Sequence, residues 1–181
     1  MKQHQSLPPR NTFGLSEIVF HLTLLCIIFS VLVFTCYPVL INAEVLTSGD
    51  EAFHFRQIIE LMEGRFFLYY DNVTYAGILE GLAAIPFFWI FGVNSLAFKL
   101  PSILFFGLFI WSSYLLARLI QPSMAWIWLV LLLFPSTIIT NNILTLNYCN
   151  SLTSFLANLV LIYYFKYKTE SSNPILNISL F

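Results

Sequence analysis

Charge is what this sequence has least of. Only 9% of its 181 residues are Asp, Glu, Lys or Arg, where soluble domains carry about 25%. Eight bases against nine acids leave a net charge of −1, so nothing suggests nucleic-acid binding. Cysteine is scarce as well. Cys26, Cys36 and Cys149 are odd in number and lack metal-ligand spacing, so three buried free thiols are expected in place of a disulfide framework or a zinc site. A cleavable signal peptide is also missing. Met1 to Arg10 is polar, but the apolar run after it is too long for a typical h-region and no small-residue cleavage site ends it, so it reads as a signal anchor.

What is present is apolar. Hydrophobic residues make up 59% of the chain, with 19 Phe, 9 Tyr and 4 Trp. The mean hydropathy is +0.81. Such a composition suits lipid-facing helices flanked by interfacial aromatic belts. The expected fold is all-α: a polytopic membrane helix bundle with four or five spanning segments.

Residues 1–16 form a polar tail whose Lys2 and Arg10 favour the cytoplasmic side. Residues 17–41 form the first transmembrane helix; its uncharged part, Ile18 to Ile41, reaches roughly 36 Å at about 1.5 Å per residue, enough to span. Residues 42–75 form an extracytoplasmic loop that holds most of the acid: Glu44, Asp50, Glu51, Glu60, Glu63 and Asp71. Within it lies the sequence TSGDEAFHFRQIIELMEGR. Ser48 and Glu51 fit a capping box. Phe55, Ile58, Ile59 and Met62 make one apolar stripe, and Gly64 stands where a C-cap glycine belongs. An amphipathic interfacial helix over 48–63 follows. The aromatic run FFLYYDNVTY comes next and suits the interface; Asn72-Val73-Thr74 is a formal glycosylation sequon.

Residues 76–165 carry apolar segments two to five: Ala76–Phe91, Leu96–Ile120, Met124–Thr140 and Leu152–Phe165. Gly92 to Ser95 reads as a turn, Pro135 falls inside the fourth segment, and NNILTLNYCN is a polar break. Strict alternation from an inside N-terminus puts Arg118, Lys166 and Lys168 outside, against the positive-inside rule. If Ala76–Phe91 does not cross, all three return inside, so four and five crossings both stay open. Residues 166–181 form a polar tail and the start of a further apolar segment, as expected of a truncated chain.

The order of these features resembles a known family. An Asp-Glu pair in the first outer loop, then TYAGILEGLAAIPFFWIFG with Tyr75, Gly77, Leu79 and Glu80, then NSLAFKLPSILFFGLFIWSSYLLARLI look like the N-terminal part of the polyprenyl-phosphate-sugar-dependent membrane glycosyltransferases. That group, of the C-type glycosyltransferase fold, includes protein mannosyltransferases, lipid A aminoarabinose transferases and bacterial relatives acting on surface glycans. The resemblance covers Leu15 to Phe165. It implies sugar transfer from a polyprenyl-phosphate carrier to an acceptor on the extracytoplasmic face, with membrane lipids, the lipid-linked sugar and an acceptor of unknown identity as partners. It also implies a multi-pass protein of the cell envelope: of the bacterial inner membrane, or of the endoplasmic reticulum in a eukaryote. By motif match Asp50 is the base on the acceptor hydroxyl, or helps hold a metal near the lipid phosphate, and Glu51 supports it. Two features of the family pattern are absent: Thr74-Tyr75-Ala76 stands where some branches have Lys-Pro-Pro, and Asn141 to Asn150 lacks the usual Arg and acid.

Glycosyl transfer needs a carboxylate to take the proton and a cation to meet the departing phosphate. Arg56, Arg65, Glu80 and Lys99 are the candidates for a donor-phosphate or cavity role. His54, at i+4 from Asp50, gives a divalent metal a two-residue foothold, the one cofactor these residues suggest. The competing readings are plain. Acids in a first helical turn complement the macrodipole, and a His beside them stacks at the interface. The alternative is a small non-catalytic membrane protein, an assembly partner or a degenerate paralogue; the missing Arg and acid after the fourth segment favour it, as does the length. The near absence of intramembrane charge disfavours a transporter.

Overall fold

The computed structural model describes residues 14–43, 49–66, 69–70, 73–77, 79–136, 139–140, 144 and 150–170. Residues 1–13, Ser48 of the capping box, Asn72 of the sequon, Cys149, residues 171–181 and most of the Asn141–Asn150 break lie outside the described residues, while 166–170, expected as polar tail, are helical.

Helix α1, Leu15–Leu40, follows an extended Gly14 and has Glu17 in its first turn, at the positive end of its dipole. It buries Leu24, Ile28, Leu32 and Cys36, a single i+4 ridge. Cys36 is therefore core, but Cys26 is exposed, which corrects the expectation of a buried thiol: two residues from Leu24 or Ile28 is about 200° around the helix.

Helix α2, Gly49–Met62, ends as its glycine foretells. Gly64 has φ +94, its N–H donates to Leu61 O at 3.0 Å, and the Arg65 N–H donates to Glu60 O at 3.0 Å. This is a Schellman closure. The buried face differs from the apolar stripe expected. Ile58 is buried, but Phe55 and Ile59 are only partly so and Met62 is exposed; the remaining buried positions are Glu51, His54 and Gln57.

Two short antiparallel strands follow, β1 (Tyr69–Tyr70) and β2 (Val73–Gly77), with Tyr69 opposite Gly77 and Tyr70 opposite Val73. They place a hairpin inside the aromatic run, where β-branched and aromatic residues favour extended backbone. The second apolar segment is not one helix. It contains the end of β2, then α3 (Leu79–Leu82) and α4 (Ile85–Phe91). The seven residues of α4 reach about 10 Å, a third of a hydrocarbon core.

The α4–α5 turn is held by one residue. Gly92 takes φ +80. Asn94 donates through Nδ2 to Phe91 O at 2.9 Å and Gly92 O at 3.2 Å, while its Oδ1 accepts from the Ala97 N–H at 2.8 Å as N-cap of α5. Helix α5, Ser95–Ile120, is the hub, packed against α1, α4, α6 (Ala125–Leu133) and α7 (Asn150–Glu170). A 3-10 turn (Pro122–Met124) leads into α6, Ala125–Leu133. That helix stops before Pro135, so Met124–Thr140 is not one continuous helix. Helix α7 spans Asn150–Glu170.

Among the described residues two helices, α1 and α5, are long and apolar enough to cross a membrane, each about 39 Å by its 26 residues. They point to membrane association. They run antiparallel: His21 of α1 meets Trp111 of α5 ring to ring, and further along α1 Phe29 meets the earlier Gly107 so closely that an added Cβ would lie 2.5 Å from the ring. The start of α1 and the end of α5 therefore share one end of the molecule. Helix α7 runs parallel to α5. Leu144, shortly before it, meets Lys99, and Asn158 within it meets Ser112, so the direction is the same along both. Asn158 Nδ2 donates to Ser112 Oγ at 3.1 Å and Ser113 Oγ at 2.8 Å, a polar link inside an apolar interface. The main core joins the α1 ridge to Ile103, Phe106, Ile110 and Tyr114 of α5 and Ala125, Leu129 and Leu133 of α6.

Candidate functional site

A second, smaller core stands at the other end, where α2 lies over the start of α5. Phe55 of α2, Phe88 of α4 and Phe98 of α5 meet ring to ring, with centroids 5.1 to 6.3 Å apart. Ile58, Ala84 and Ala97 close around them. These edge-to-face and stacked contacts each add on the order of 0.5–1.5 kcal/mol beyond burial. They fix the face that α2 turns toward α5.

That face is polar along its other edge. Lys99 of α5 and Glu51 of α2 form an ion pair through Nζ and Oε1, both side chains fully buried. Lys99 Nζ also donates to Leu144 O at 3.4 Å. Local sequence explains each partner. Glu51 is in the first turn of α2, where an acid complements the dipole. Lys99 is in the second turn of α5, an end that disfavours a cation, so its ammonium requires the carboxylate that α2 brings. His54, one turn beyond Glu51, and Ser102, one turn beyond Lys99, are both buried here, at 0% and 1% exposure. Gln57, a turn further, is buried too. Gln57 Oε1 and Ser102 Oγ have no hydrogen-bond partner among the described residues.

The predicted site residues thus separate. Glu51 and Lys99 come together. His54 is buried on the same face of α2 as Glu51. Asp50 is placed by its backbone in the first turn of α2, and Glu80 by its backbone in α3; both side chains lie outside the described residues. Arg56 and Arg65 face away. Arg56 Nε holds Glu60 Oε1 at 3.2 Å, and Arg65 Nη2 reaches Glu63 Oε2 at 3.1 Å and Glu60 Oε1 at 3.6 Å. All of this is on the exposed side of α2, where such pairs contribute little. Among the described residues no group of three or more His, Cys, Asp or Glu side chains gathers as a metal site. Gln57 and Ser102 were not anticipated. Their signal is the helical spacing itself, three residues on from His54 and from Lys99.

What this arrangement does chemically is hold a proton-accepting and a proton-donating group together out of water, with an amide and a hydroxyl beside them. Comparison with family models, with curated proteins and with solved structures returned no match.

Proposed function

We propose that the chain carries first-loop machinery of a membrane glycosyltransferase that moves a sugar from a polyprenyl-phosphate carrier to an acceptor hydroxyl on the extracytoplasmic face. The reading takes α1 and α5 as spanning helices of a multi-pass bundle and α2 as lying at the outer interface. Arg118 and the start of α1 are then inside, and α7 carries Lys166 and Lys168 to that side, which agrees with the positive-inside rule. The observation that carries the reading is the Lys99–Glu51 pair: in a chain so poor in charge, a buried acid and base join the first loop to a spanning helix. Asp50, next to Glu51, takes the acceptor proton. Glu51 and Lys99 fix the start of α2 over the start of α5 and so position Asp50.

The test is release of polyprenyl phosphate from a labelled polyprenyl-phosphate sugar by membranes holding the full-length protein. Asp50→Asn is expected to abolish release at an unchanged protein level. Release that persists in that variant sinks the role of Asp50.

One observation favours a non-catalytic membrane partner. Lys99 is already engaged by Glu51 and the Leu144 carbonyl, so the pair serves as a clamp without further chemistry. Asp50→Asn decides between them: a glycan unchanged in that variant at normal protein level supports the partner reading, and its loss supports the enzyme.

A further inference from the structure

At the opposite end from Lys99, the first turns of α1, the last turns of α5 and the start of α6 enclose a cleft of about 350 Å³. Two opposite charges line it, Glu17 and Arg118. Both are exposed, and they form no ion pair with each other or with any other described residue. Phe20, Tyr114 and Trp126 wall the space between. Trp126 meets Tyr114 at 5.1 Å and Phe20 edge-on at 6.3 Å between centroids. His21 also lines the cleft, and its Nδ1 is buried without a hydrogen-bond partner among the described residues.

We infer that this cleft binds the headgroup of a zwitterionic phospholipid. An acid and a base that face one cavity without pairing complement a ligand carrying both signs. Arg118 and the imidazole of His21 meet the phosphate. Glu17 and the aromatic wall meet the ammonium, the rings through their negative faces. The position supplies the lipid: the cleft is at the terminal turns of the two helices long and apolar enough to span, where water and acyl chains meet. The inference is independent of any glycosyl transfer and rests on α1 and α5 lying in a bilayer.

The experiment is native mass spectrometry of the full-length protein released from micelles holding equal amounts of phosphatidylethanolamine, phosphatidylcholine and phosphatidylglycerol. The wild type is expected to retain the zwitterionic lipids roughly tenfold over phosphatidylglycerol. Glu17→Gln removes that preference, and Arg118→Gln lowers retention of all three. Equal retention of phosphatidylglycerol by the wild type, or a preference that survives both substitutions, overturns the proposal. Full displacement of bound lipid by soluble glycerophosphoethanolamine also overturns it, since the occupant is then a free headgroup ester. Should a variant lose helix content, wild-type tryptophan quenching gives the same answer: chain-brominated phosphatidylethanolamine must quench more than the matching phosphatidylglycerol.

Discussion

Lys99 and Glu51, forty-eight residues apart, are joined inside the protein, and the pair is what docks the helix of the first loop onto α5. Removing one member leaves the other buried and uncompensated, a loss of about 3–5 kcal/mol. Lys99→Met and Glu51→Gln should each lower the thermal midpoint in detergent strongly. The double variant Glu51→Leu/Lys99→Met should recover much of the loss. A double variant whose loss equals the sum of the singles would show that the two side chains do not interact.

The close approach of α1 and α5 at Gly107 gives a second prediction. An added methyl would overlap the Phe29 ring, so Gly107→Ala should destabilise by about 1–3 kcal/mol. Phe29→Leu in the same chain should restore part of it. Equal stability of Gly107→Ala and wild type in thermal unfolding would count against the α1–α5 register.

Asn158 is expected to matter less. Its bonds to Ser112 and Ser113 tie α7 to α5, and such links between apolar helices contribute roughly 0.6–2 kcal/mol. Asn158→Leu should cost about that much, read by denaturant titration in micelles, with helix content unchanged.

At Gly64 the space around a Cβ is open, so Gly64→Ala tests backbone conformation alone. A positive φ of 94 should make the substitution cost about 1 kcal/mol. Faster proteolysis after Arg65 is the direct readout, because the Schellman closure that protects this bond loosens.

Sidedness is checked by cysteine labelling in a chain with Cys26, Cys36 and Cys149 replaced by alanine. An impermeant maleimide should reach Glu63→Cys in intact cells, and Gln121→Cys and Lys168→Cys only after permeabilisation. Labelling of Glu63→Cys and Gln121→Cys from the same side would sink the two-sided arrangement of α5.

Helices with local signals were legible in the sequence. The expected 17–41 and 48–63 became Leu15–Leu40 and Gly49–Met62, because one long uncharged run fills the first and a glycine able to take positive φ closes the second. Whether Ala76–Phe91 crosses stayed open in the sequence because hydropathy counts apolar residues without regard to period. A hairpin strand and two short helices carry the same composition as one spanning helix. The face of α2 was misjudged for a different reason. Its apolar stripe is local, but the partner that makes Glu51 an inward residue is Lys99, and no periodicity within α2 reports it. Both members of the pair were candidates; their contact was not readable, since it depends on how α4 turns the chain at Gly92 and Asn94.

The three rings of Phe55, Phe88 and Phe98 come from three elements made at different times. Helix α2 leaves the ribosome before α4 and α5 exist. Its docking surface must wait through the synthesis of the hairpin and the α4–α5 turn, and Glu51, His54 and Gln57 let it wait in water. An apolar face in their place would be sticky throughout that interval. Until α5 is made, Glu51 stands on that edge without Lys99, its partner in the folded chain.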